Sequence, residues 1–253
     1  MNLANFDGIG WLLLMLGPLI FLQRILHREI QALILIITQR PSVTLAIFSV
    51  LFLPGVALHE ASHYFMARIL RVKVGRVSLV PRQLKGGKLR MGFVETAQTD
   101  AVRDALIGAA PLITGSAVVA YIGIVRMGLL PIGDELITGQ LGLFWQRMTL
   151  LPLLPDFWVW FYLSFVVSST MLPSSSDRRT WLPVLFAVLC VVVVALIIGA
   201  GPWLSETIAP TFNQVMRSIS IIFAISVAVH IIILLPIWLL RILAGRLTGL
   251  TVD

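Results

Sequence analysis

The chain has 253 residues, of which 58% are hydrophobic and only 12% charged. A soluble domain carries about 25% charged residues, so a water-soluble globule is excluded. The net charge of +7 raises nucleic acid as a partner, but the basic residues fall between apolar runs, where the positive-inside rule puts them, so no nucleic acid partner is expected. The runs approach the length of membrane helices, not of barrel strands. The expected fold is an all-α polytopic membrane protein with about six transmembrane helices and a small β-hairpin, embedded in the lipid bilayer. The single Cys190 excludes an intrachain disulfide and a cysteine metal cluster.

Residues 8–23 read as the first span. They lack a basic leader and a small-residue cleavage site, so a retained helix is expected and not a signal peptide. In residues 24–40, Ile25, Leu26, Ile30, Leu33 and Ile34 follow helical spacing while Arg24, Arg28 and Arg40 mark a polar side. That pattern predicts an interfacial amphipathic helix.

Residues 42–70 carry the second span and the stretch with most chemistry, His59-Glu60-Ala61-Ser62-His63. Two histidines four apart lie on one helix face, one turn above the other, and can reach one metal ion. Glu60 flanks the pair and suits a general base beside a metal-bound water. Zinc lowers the pKa of such a water from about 16 to near 7. An ionisable group at bilayer depth costs about 2.5 kcal/mol or more unless it has a partner or a task, which favours a metal site. Pro54-Gly55, one turn earlier, is a kink signal that either serves packing or opens space beside the metal.

In residues 72–95, Val72, Val74, Val77 and Leu79 alternate with polar residues, and Leu89, Met91 and Phe93 do so again after Gly86-Gly87. Two period-2 segments around a glycine turn predict the hairpin. Residues 101–126 form the third span, containing Gly108-Ala109-Ala110-Pro111 and Thr114. Its small residues permit close helix approach. Residues 127–155 read as a loop with a short amphipathic piece from Leu136 to Met148. Residues 156–173 form a fourth span opening on an aromatic belt, and 181–203 and 218–240 the fifth and sixth. His230, inside the last, reads as a hydrogen-bonded packing residue. The expected organisation is a single membrane domain, 1–253. Within it lie an N-terminal segment (8–40), a core (43–180) and two C-terminal helices (181–246).

Six alternating spans with the hairpin inside place thirteen basic residues on the cytoplasmic side and six outside. The positive-inside rule then puts both termini in the cytoplasm, most simply of a cell membrane. The same count puts Asp177 near the membrane face of His63. A catalytic zinc takes three protein ligands and leaves one position open. Asp177 is the acid that follows a span on the correct side, and its alternatives are an N-cap for the fifth helix or a partner for Arg178 or Arg179.

With these residues in order, the chain resembles the site-2 protease family of intramembrane zinc metalloproteases. The resemblance rests on His59-Glu60-Ala61-Ser62-His63 in a membrane helix, the basic hairpin followed by the Gly108–Pro111 helix, and Asp177 after a later span. It implies a three-helix catalytic core, Zn2+ held by His59, His63 and Asp177, and Glu60 as catalytic base. The implied activity is that of a zinc metalloendopeptidase acting on a membrane-protein substrate in or near its transmembrane segment. The family's Asn-x-x-Pro-x-x-x-Leu-Asp-Gly pattern is here Pro173-Ser174-Ser175-Ser176-Asp177-Arg178, and Thr114 stands near the family's Asn after the Gly-Pro segment. No room exists for an inserted PDZ domain. Val77 and Leu79, by strand addition at the hairpin edge, and Pro111 and Thr114 are the expected substrate-binding residues. Two other readings stay open: a metal-dependent transporter or channel lined by the same groups, and an inactive homologue serving as a scaffold.

Overall fold

The computed structural model describes residues 7–79, 82–83, 89–90 and 92–250. Its first element, α1 (Asp7–Thr38), is one unbroken helix. The expected division into a span and an interfacial helix is therefore corrected. The stripe that looked interfacial is a helix-packing stripe: Leu26, Ile30 and Ile36 are buried, and Glu29 among them is paired with Arg241. An apolar stripe beside a polar one does not say whether lipid headgroups or other helices cover it.

Helix α2 (Pro41–Ile69) starts with proline at its first position, where the missing N–H is not needed. It carries the histidine pair near its far end. Strand β1 (Val74–Ser78) then pairs antiparallel with β4 (Phe93–Thr96), with Val77 opposite Val94 and an irregularity between Val74 and Val77. Strands β2 (Arg82–Gln83) and β3 (Leu89–Arg90) pair between them. The expected Gly86-Gly87 turn lies outside the described residues. Asp100 caps α3 (Ala101–Tyr121) by accepting from the Arg103 N–H at 2.9 Å, and a π-helical turn, Ile122–Arg126, continues it.

Residues 127–155 are not a loop with one helical piece. They form two helices, α4 (Leu129–Ile137) and α5 (Leu141–Leu150), joined across them by the Glu135–Arg147 pair. The segment Leu141–Leu153 meets α6 (Phe157–Thr170) at 98°. Helix α7 (Trp181–Ile197) packs against α3 and buries none of its residues. A short α8 (Gly201–Trp203) leads through a π-helical turn into α9 (Ala209–Thr248), and together they make a 48-residue helix where a 23-residue span was expected. Among the described residues, four helices are long and apolar enough to cross a membrane, and five if the bent pair counts as one span.

Partner contacts fix the directions. His27 of α1 meets Phe48 and Phe52, and Thr38 meets Thr44, so α1 and α2 are antiparallel. Between α2 and α6 the register is constant. The Tyr162 hydroxyl donates to the Leu51 carbonyl and the His59 ring meets the Thr170 carbonyl, each pair 111 positions apart. These two helices therefore run parallel. Gly55 makes the approach feasible, because a Cβ there would collide with the Val166 carbonyl and the Thr170 hydroxyl. The Pro54-Gly55 signal thus marks a close helix contact.

Asp7 pairs with Arg217, and Glu29 with Arg241, so α1 and α9 also run parallel. Passes through α1, α2, α3, α6 and α9 in alternation give this direction. Six alternating spans would make the first and last antiparallel. The core lies where these five helices meet, around Leu19, Phe52, Val119, Val166 and Phe223.

Candidate metal centre

His59 and His63 stand on consecutive turns of α2 with their Nε2 atoms 3.2 Å apart. Their other ring nitrogens are engaged. His59 Nδ1 lies 2.7 Å from the Thr170 carbonyl oxygen at the end of α6, and His63 Nδ1 lies 2.8 Å from the Ile107 carbonyl oxygen of α3. A carbonyl only accepts, so each Nδ1 carries the proton and donates it. Both Nε2 lone pairs are left for a metal, in the outer-shell arrangement that orients ligating histidines.

Asp177 completes the set, with its carboxylate oxygens 3.8 Å from His59 Nε2 and 3.5 Å from His63 Nε2. The three ligand atoms lie within 4.8 Å of one another. Zinc–ligand bonds of about 2.0–2.1 Å in a tetrahedron put ligand atoms about 3.3 Å apart, close to these separations. The donor set of two neutral imidazoles and one carboxylate fits a divalent cation, though not zinc alone.

A local turn holds Asp177. Its carboxylate accepts from the Ser174 N–H at 2.7 Å, and its own N–H donates to the Ser174 hydroxyl at 3.3 Å. It does not cap α7, which Thr180 precedes without a side-chain cap. Nor does it pair with Arg179, which binds Asp104 in a two-point contact of 2.9 and 2.8 Å. Donating these hydrogen bonds to the Asp104 carboxylate pushes the Arg179 guanidinium further above its usual pKa. Gly108 of α3 lies directly under the turn, where any Cβ would strike the Asp177 carbonyl oxygen.

Glu60 is buried beside the triad at 8% exposure. Gly92, just before β4, lies against it. A Cβ on Gly92 would come 2.9 Å from Glu60 Cγ and 3.0 Å from Oε1. The hairpin therefore lies against Glu60 of the candidate site just before β4, at a residue that has no side chain to interpose.

A cavity of about 700 Å³ opens on the site. It is lined by His59, Glu60, His63 and Asp177, by Phe93, Val94 and Thr96, and on the α1 side by Gln23 and His27. None of Val77, Leu79, Pro111 and Thr114 lines it. Val77 in β1 and Leu79 just after it are exposed, and Pro111 is buried inside the bundle. Both β1 and β4 touch α2, but the strand that borders the cavity is β4, which supplies Phe93, Val94 and Thr96. His27, expected at the opposite interface, forms part of the cavity wall since α1 continues through that level. His230 is a packing residue, as expected: Nδ1 donates to the Ser226 carbonyl at 2.7 Å and Nε2 accepts from the Ser169 hydroxyl at 3.0 Å.

No protein-family model, curated protein or solved structure matches this chain. What it does therefore rests on the residues of the site.

Proposed function

We propose that this protein is an intramembrane zinc metallopeptidase that hydrolyses a peptide bond in or near a transmembrane segment of a substrate protein. The observation that carries the reading is the convergence of His59, His63 and Asp177, from two distant stretches of chain, beside the buried carboxylate of Glu60. Three histidine and carboxylate ligands with a glutamate next to them are the equipment of metal-assisted hydrolysis. The resemblance to site-2 proteases points the same way.

His59, His63 and Asp177 would hold Zn2+. When bound, the metal supplies Lewis acidity toward a carbonyl oxygen and lowers the pKa of water. Glu60 takes the proton from the attacking water and delivers it to the leaving amine. Burial beneath Gly92 keeps that carboxylate away from bulk solvent. A substrate helix hides its peptide bonds and must become extended before attack. Residues Phe93–Thr96 border the cavity and offer backbone groups to such a segment by strand addition. This moves the expected docking strand from β1 to β4.

The hairpin face is assigned to the cytoplasm of a cell membrane. Taking α9 parallel to α1 carries Arg217 to the hairpin side and Arg241 and Arg246 away from it, which leaves twelve basic residues against seven. That balance still favours the hairpin face as the inner one. The N-terminus then lies inside and the C-terminus outside.

The test is a membrane-proteome comparison of cells making the native protein and Glu60→Gln. A truncated membrane protein that appears only with the native form supports hydrolysis. Metal flux into proteoliposomes that is equal for both forms, with no cleavage difference, points instead to a transporter.

A further inference from the structure

We infer that Asp104 and Arg179 are positioning residues for the metal centre, holding the third ligand against the other two. The inference rests on the metal-site reading above. His59 and His63 are set by the helix that carries them, and each ring is oriented by a backbone carbonyl of a packed neighbour. Asp177 has no such support from regular structure. It lies in the turn segment between Thr170 and Trp181, where Ser174, Ser175 and Ser176 are exposed. The bonds of Ser174 to Asp177 and Ser176 shape that turn internally but do not attach it to anything else.

The attachment comes from Asp104. Its carboxylate, in the first turn of α3, receives Arg179 Nε at 2.9 Å, Arg179 Nη2 at 2.8 Å and the Thr180 hydroxyl at 3.2 Å. Among the described residues, side-chain hydrogen bonds from this turn to another element all end on Asp104; besides the approach of Asp177 to the histidines, the start of the segment is held by Met171 and Leu172 packing in the core. Four positions along the same helix, Gly108 gives the turn its floor. One position before Gly108, the Ile107 carbonyl orients His63. A single stretch of α3, from Asp104 to Gly108, thus fixes both the aspartate and one histidine. The two-point guanidinium–carboxylate contact sets orientation as well as distance, which a lysine cannot reproduce. The Asp104 side chain is 12% exposed and that of Arg179 is 61% exposed, so the pair acts through geometry more than through charge attraction.

The clasp is not among the metal's ligands, and because Asp104 and Arg179 also line the cavity, its role is read from metal binding without substrate. Losing it should free Asp177 to leave the site while both histidines stay in place. Outer-shell partners of this kind are worth about 10- to 100-fold in metal affinity.

The experiment uses the full chain purified in detergent, as native protein, Asp104→Asn and Arg179→Lys. Zinc affinity is measured by chelator competition, the absorption spectrum with cobalt(II) in place of zinc, and thermal unfolding without metal. The expected result is a loss of about 10- to 100-fold in zinc affinity in both variants. Their cobalt spectra should shift toward that of Asp177→Ala, and unfolding without metal should stay near native. Native-like affinity and cobalt spectra in both variants overturn the positioning role. A loss of affinity matched by an equal loss of metal-free stability also overturns it, because the clasp would then be merely structural. Absence of zinc binding by the native protein overturns the metal-site reading itself, a different failure.

Discussion

Gly92 rests on Glu60: a Cβ at Gly92 would lie 3.0 Å from the carboxylate oxygen Oε1 and 2.9 Å from Cγ. Real Cβ contacts are essentially never that close to carbon, so Gly92→Ala must push either the strand or the carboxylate aside. The atoms nearest to such a Cβ belong to Glu60 and Val56, not to the proposed zinc ligands. Gly92→Ala should therefore keep full zinc content and lose about 100-fold in cleavage rate, the effect of misplacing a reacting group by about an ångström. Metal analysis and substrate cleavage on one preparation check both halves.

Gly108 should show the opposite division. Its missing side chain leaves room for the Asp177 carbonyl, so Gly108→Ala should displace Asp177, the proposed third ligand. Zinc affinity should fall by about 10- to 100-fold, with cleavage falling in step and recovering in excess zinc. Chelator competition measures the first and a zinc titration of activity the second.

The hairpin strands should not be equivalent. Val94 borders the cavity, while Val77, its partner on β1, does not. Proline removes a backbone donor from either strand. Val94→Pro should abolish cleavage with zinc retained, and Val77→Pro should reduce it less. Equal loss in both would mean that the sheet acts as a unit and that β4 has no separate role.

Because α1 and α9 run parallel, reporters fused before Asp7 and after Thr248 should report opposite sides of the membrane. The same side for both would restore six alternating passes. Selective labelling of single cysteines placed at the two ends gives the same reading without a fusion.

The parts of this molecule that follow from neighbours in the chain were legible in its sequence. His59 and His63 share a face because helical spacing makes them do so. Alternation from Val72 to Leu79 and from Leu89 to Phe93 marked the hairpin. Asp177 stood out because few acids follow an apolar run. What escaped depends on partners far along the chain. Nothing near Gly92 or Gly108 announces a carboxylate or a turn lying against it. The carbonyls of Thr170 and Ile107 that orient the histidines belong to ordinary backbone. The stripe from Leu26 to Ile36 reads the same whether headgroups or α9 cover it. The direction of α9 is set by two ion pairs more than 200 positions apart in sequence, beyond the reach of any local pattern.

The account depends most on one metal ion gripped by His59, His63 and Asp177, with Glu60 acting beside it. Zinc stoichiometry, measured by elemental analysis on the native protein, Asp177→Ala and Glu60→Gln, tests this most directly when cleavage of a membrane substrate is followed in the same samples. The account predicts one zinc per chain in the native protein and in Glu60→Gln, little in Asp177→Ala, and cleavage in the native protein alone. Full zinc in Asp177→Ala, or undiminished cleavage in Glu60→Gln, would contradict it.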